Sequence, residues 1–183
     1  MKRHYCVVLL AALLPLTAAV ASAADKQMMS KIKSAMSAAP SSIANEATIM
    51  DWPATPDAKP ALLRQGTNGW TCFPDFPVSP GPDPMCLDKQ WMAWMDGYLK
   101  HTAPVITGVG IGYMLAGGSS ASNEDPFAEM PKAGEHWMKE PPHIMVISPG
   151  KLDPAMFSQD PHSGGHWIMF GGTPYEHLMI PVK

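Results

Sequence analysis

GEHWMKEPPHIMVISPG (134–150) and GGHWIMFGGTPYEHLMIPV (164–182) carry histidine, aromatic and methionine twice in nearly the same order. His136-Trp137 and His166-Trp167 each precede a segment that opens with histidine and runs apolar, from His143 to Ile147 in one copy and from His177 to Ile180 in the other. Short apolar runs bounded by Pro and Gly read as strands. Strands are therefore predicted over 143–148, 167–170 and 177–182, with turns at Pro149-Gly150 and at Gly171-Gly172-Thr173-Pro174. If the first and last of these pair, His143 and His177 can enter one pocket.

The segment upstream has the same period of two. Val105, Thr107, Val109, Ile111, Tyr113 and Leu115 alternate with Ile106, Gly108, Gly110, Gly112, Met114 and Ala116, which predicts a strand with one bulky and one nearly bare face. Glycines weaken a strand, so their presence implies a close neighbour, with Trp91 or its helix backbone the candidate. The G-x-G-x-G pattern lacks the strand-turn-helix setting and the acidic residue of a dinucleotide site. Before it, a helix is predicted over 84–100, opened by Asp83-Pro84, packed through Leu87, Trp91, Trp94 or Met95, and Tyr98, and stopped by Pro104. A helix followed by strands without regular helices between them argues for an α+β fold: a mostly antiparallel sheet packed with one main helix and a disulfide-linked Pro-rich loop.

The chain start reads as an export signal. Lys2, Arg3 and His4 are followed by an apolar run from Val7 to Leu16 and by the small-x-small site Ala21-Ser22-Ala23. The expected organisation is a signal peptide over 1–23, an N-terminal helical arm and Pro-rich linker over 24–60, and a globular domain over 61–183. The run is too short for a permanent span, so the expected location is a bacterial periplasm or exterior after cleavage near Ala23, without stable membrane insertion. Taking Lys2 and Arg3 from the 13 Lys and Arg leaves 11 basic residues against 16 acidic ones. No basic stripe remains, which argues against nucleic acid as a partner.

Cys6 leaves with the signal, and Cys72 and Cys86 remain. In an oxidising compartment the simplest reading is a disulfide bracketing the Pro-rich segment, with a metal pair as the alternative. No C-x-x-C spacing supports redox catalysis.

The segments GWTC (69–72), DPMCLD (83–88), PPHIM (141–145) and GTPYEHLMIPV (172–182) resemble those of a family of uncharacterised secreted bacterial proteins. The resemblance spans most of 61–182 and implies export without implying an activity.

His143, Tyr175, Glu176 and His177 are the ligand-binding candidates. The set His136, His143, His166 and His177 has the chemistry of a zinc or copper site if the four rings converge, and the competing reading gives each ring a local hydrogen bond. Met145, Met169 and Met179 would assist copper, or fill gaps in the core. No G-x-S-x-G or H-E-x-x-H motif is present, and Ser119 or Ser120 reaches His143 only if the 117–142 loop folds over it. The favoured function is an exported small-molecule or metal-binding protein, its best pocket near Gly117-Gly118 and Gly171-Gly172. A histidine-dependent enzyme pairing His143 or His177 with Glu176, or an envelope structural or interaction protein, are the alternatives.

Overall fold

The computed structural model describes residues 16–55 and 58–182, with side-chain surroundings from Ala23 onward. The proposed signal peptide lies mostly outside the described residues. The duplicated stretch forms β8 (His143–Ile147), β9 (Trp167–Met169) and β10 (His177–Pro181). β10 lies between the other two and antiparallel to both, with Met179 opposite Met145 on β8 and Trp167 on β9. β8 pairs on its other side with β5 (Gly110–Met114), placing Gly112 opposite Met145.

The sheet continues through β4 (Met85–Leu87), β3 (Thr71–Phe73), β1 (Thr48–Asp51) and β2 (Ala61–Arg64), in the order β2-β1-β3-β4-β5-β8-β10-β9. Every ladder in it is antiparallel except that of β1 with β3. A separate two-stranded ribbon joins β6 (Gly118–Ser120) to β7 (Met138–Glu140). With α1 (Leu16–Met36), α2 (Ser41–Ala44) and α3 (Lys89–Leu99), the fold is mostly sheet with few helices.

Helix α3 starts later than the sequence suggests. Met85–Leu87 pairs with Thr71–Phe73, so the Asp83-Pro84 start is forestalled by sheet formation. Asp88 is the cap instead: its Oδ1 accepts from Gln90 N and Trp91 N, each at 2.9 Å, satisfying amides with no intrahelical partner. Its Oδ2 accepts from Ile111 N at 2.6 Å, so the same side chain ties the helix start to β5. That strand begins at Gly110, and Val105 and Val109, expected within it, are exposed.

The bare face of β5 meets α3 as its glycines require. A Cβ on Gly112 would lie 2.9 Å from Met145 Cε, 3.1 Å from Leu87 Cδ2 and 3.3 Å from Trp91 Nε1. Trp91 donates that Nε1–H to Met145 O at 3.3 Å, closing the polar account of a buried indole. Trp91, Trp94 and Met95 form one buried cluster with Met114, Met145, Ile147, Trp167, Met169, Tyr175 and Met179. At about 25 cal/mol per Å² and roughly 150–250 Å² per large aromatic, each such tryptophan contributes on the order of 4–6 kcal/mol of transfer free energy.

The opposite face is covered from the N-terminal side, by residues of the 24–60 stretch expected to form a helical arm and linker. Ala35, Ala38, Ala44, Ala47 and Ile49 are buried with Cys72 and Cys86, and β1 lies inside the sheet. Small alanines let α1 and α2 approach the strands closely. Helix α1 is therefore a second packed helix, so the sheet does not rest on one helix alone. Cys72 and Cys86 oppose each other on β3 and β4 and are disulfide-bonded, 14 residues apart, with the Pro-rich 74–84 loop between them.

Candidate functional site

Along β8 the side chains alternate, so His143, Met145 and Ile147 are buried on the α3 side. On β10 His177 and Met179 face the same way. The antiparallel register sets His143 against Pro181, at the far end of β10 from His177, while Met145 and Met179 pair between them. The two histidines thus share a face and have different surroundings.

His177 is 3 % exposed and sits among aromatic rings. It meets Trp91, Trp94 and Phe170 edge-on, at centroid distances of 5.2, 5.7 and 5.5 Å. Its Nδ1 is 3.0 Å from Tyr175 O; a carbonyl oxygen only accepts, so Nδ1 carries the proton. Burial lowers its pKa to about 4, the Tyr175 carbonyl opposing and a charge on His143 reinforcing the shift.

His143 is fully buried and fixed in the same tautomer by Pro141 O, 2.7 Å from its Nδ1. Burial lowers its pKa to about 4 against the opposing effect of that carbonyl. Its Nε2 has no hydrogen-bond partner among the described residues and lies 4.0 Å from Glu140 Oε2. Glu140 is 8 % exposed, with a pKa pushed up to about 7 by burial; Ser120 counteracts this and nearby Asp83 adds to it. Ser120 Oγ donates to Glu140 Oε1. Asp83, 6 % exposed, accepts from Ser119 N at 2.6 Å, and burial raises its pKa as well.

Gly118 is the small residue on which this cluster closes. A Cβ there would fall 2.6 Å from Glu140 Oε2, 3.1 Å from Met114 Cε and 3.5 Å from His143 Cε1. The 117–142 segment therefore does fold over His143, through the β6–β7 ribbon, and it brings Ser120 to Glu140 rather than to the imidazole.

The second candidate place is a cleft of about 350 Å³ beside α3. It is lined by Trp94, Ile106, Ser148, Lys151, Thr173 and Glu176, among others. Trp94 and Ile106 make an apolar wall; Ser148, Lys151, Thr173 and Glu176 make a polar one. Glu176 is held by Leu152 N on Oε1 and Gly172 N on Oε2, both at 2.9 Å, so it clamps the two loops that frame the cleft. Trp94 Nε1 is the other buried polar atom without a partner among the described residues.

The four-histidine site does not assemble. His136 and His166 are exposed, the latter against Phe157, while His143 and His177 are buried at opposite ends of the β8–β10 pair. Among the described residues no group of three His, Cys, Asp or Glu side chains is placed to hold a metal ion. Met145, Met169 and Met179 are buried in the hydrophobic cluster, Met169 opposite His177. Tyr175, expected at a ligand, is buried against Trp94, Tyr98 and Phe127 and donates its hydroxyl to Thr102 O at 2.9 Å. Of the ligand-binding candidates, Glu176 alone lines the cleft, and His143 belongs to the acidic cluster instead.

Asp83, Glu140, Trp94 and Lys151 were not singled out from the sequence as site residues. Glu140 had a signal, a carboxylate just before Pro141-Pro142 and a buried strand, but its partner Asp83 lies more than fifty residues away. No helix among the described residues is long and apolar enough to cross a membrane. Comparison with known proteins gives no matching family model, no matching curated protein and no matching solved structure.

Proposed function

We propose that the protein is an exported small-molecule-binding protein that takes a small organic acid with an apolar body. The observation that carries this is the 350 Å³ cleft, which joins an apolar wall at Trp94 and Ile106 to a polar one at Ser148 and Lys151. That volume lies at the lower end of ligand sites, roughly 300–1,000 Å³. Lys151 is exposed and has no ion-pair partner among the described residues, so its charge is available to a carboxylate. Glu176 accepts two backbone hydrogen bonds and makes no ion pair with that lysine among the described residues. The Cys72–Cys86 disulfide supports export, because such bonds persist in oxidising compartments. The family resemblance of the GWTC and GTPYEHLMIPV segments supports it too.

The test is a panel of aromatic and aliphatic carboxylates with their matched amides, read by ¹H–¹⁵N chemical-shift perturbation. The carboxylates are expected to shift the amides of Val105, Ile106, Ser148, Gly150, Lys151, Gly172, Thr173 and Glu176, and Lys151→Glu is expected to abolish the effect. Shifts scattered elsewhere, or amides binding as well as acids, would rule the reading out. No histidine lines this cleft, so an imidazole-based reaction there has no support.

A further inference from the structure

We propose that Glu140 and His143 form a proton-operated latch that holds the β6–β7 ribbon against the sheet, closed while the pair carries one proton and loosened when that proton leaves. The geometry is one of matched donors and acceptors. Pro141 O takes the Nδ1–H of His143, so Nε2 presents a bare lone pair. Facing it at 4.0 Å is Glu140 Oε2, while Oε1 is occupied by the Ser120 hydroxyl. With a proton on the pair, one member is a donor and the other an acceptor. Without it, two acceptors confront each other in a site that both residues bury almost completely.

Every other ionisable group around the pair acts in the same direction. Asp83, on the 74–84 loop, places a second buried carboxylate nearby and is hydrogen-bonded to Ser119 of the ribbon. Asp75 accepts from Asp83 N at 2.6 Å and adds negative charge behind it. His177, on β10, is held neutral by burial and supplies no compensating cation. Losing the proton therefore leaves Glu140 ionised beside Asp83 with no cation facing either. The inexpensive relief is hydration of Glu140, and β7, which carries it, pairs only with β6. A Cβ on Gly118 would fall 2.6 Å from Glu140 Oε2, so the ribbon backbone lies close against the carboxylate.

Linkage fixes the sign. The closed state holds the Glu140 proton up to about pH 7 and the open, hydrated state releases it near 4.5. Opening therefore becomes easier by about tenfold per pH unit between those values and is level above them.

The experiment is native-state hydrogen exchange on the full chain, expressed as protection factors for amides in 118–120 and 138–140, with β10 amides as an internal reference. Ribbon protection is expected to fall about tenfold per pH unit from about pH 5 to about pH 7 and then level, while the β10 reference shows no such fall. Glu140→Gln, which keeps a donor toward Nε2 and cannot ionise, is expected to abolish the slope. A pH-independent ribbon, or the same slope in the variant, would overturn the latch. The carboxyl ¹³C titration of Glu140 in the unaltered protein is a second test that needs no variant: a midpoint above pH 6 supports the latch and an ordinary glutamate midpoint refutes it.

Discussion

His143 and His177 begin two strands of one sheet, face the same side and donate Nδ1–H to the carbonyl two residues earlier, that of Pro141 and of Tyr175. Burial lowers the pKa of both to about 4. They differ in what surrounds the rest of the ring. His177 is ringed by Trp91, Trp94 and Phe170, whose faces and edges need no proton from it. His143 turns an unpartnered Nε2 toward a carboxylate that is itself held near pKa 7. Equal burial and the same tautomer thus give a packing residue in one place and half of a proton-sharing pair in the other.

The largest expected effect comes from opening the aromatic side. Trp94→Ala should cost about 3–5 kcal/mol in chemical denaturation, because it removes a wall of the His177 nest together with its contacts to Tyr98 and Tyr175. The comparison breaks if the loss is below about 1 kcal/mol, since the rings would then not constitute the nest's stability.

Reducing the Cys72–Cys86 bond is expected to cost about 3 kcal/mol for a loop of this length, as read from paired denaturation curves. The bond lies on the other face, so the loss should be the same from about pH 4.5 to about pH 7, below the range in which the released thiols ionise. A pH-dependent loss would mean that the crosslink and the acidic cluster communicate.

The pH dependence of stability sharpens the comparison further. Between pH 4.5 and 6.5 each histidine binds a proton in the unfolded chain and none in the fold, so each makes stability rise with pH. Glu140 has the opposite sign over this window, because the fold keeps a proton that the unfolded chain has lost. His177→Phe should therefore reduce the upward slope by about 1.4 kcal/mol per pH unit, and Glu140→Gln should increase it by about the same amount. Parallel changes in the two variants would show that the histidine and the glutamate had been given the wrong signs.

The smallest expected effect is that of Lys151→Glu. An exposed cleft residue without an ion-pair partner should change stability by no more than about 0.5 kcal/mol, even as carboxylate binding disappears. A larger loss in a melting experiment would make Lys151 part of the framework instead of the cleft.

What the sequence revealed depended on how local the signal was. β5 was readable from its period of two and β8 and β10 from short apolar runs bounded by Pro and Gly, signals that need only neighbours in the chain, and the bare glycine face of β5 implied a close neighbour that Trp91 helps supply. The pairing of Cys72 with Cys86 followed from compartment and count. The cap went to Asp88 and not Asp83 because Met85–Leu87 finds a strand partner, a contact that no helix-start rule contains. β1 was invisible for a similar reason: Thr48–Asp51 is short, and its parallel neighbour β3 is more than twenty residues on. In the candidate site, both buried histidines were named, but their separation by Met145 and Met179 depends on register. The Asp83–Glu140 cluster needed a ribbon folding back from a glycine-rich segment, and neither carboxylate lies in a pattern that announces a partner.

The place of β10 in the sheet governs when the molecule can finish folding. β9 pairs in the sheet with β10 alone, and β8 keeps one free edge until β10 arrives. A chain emerging N-terminus first can assemble α1, α2 and β1 to β4 around the Cys72–Cys86 pair early. The C-terminal half of the sheet stays incomplete until residues 177–181 are free to insert. Closure is then a late, zipper-like event with β10 as the slider.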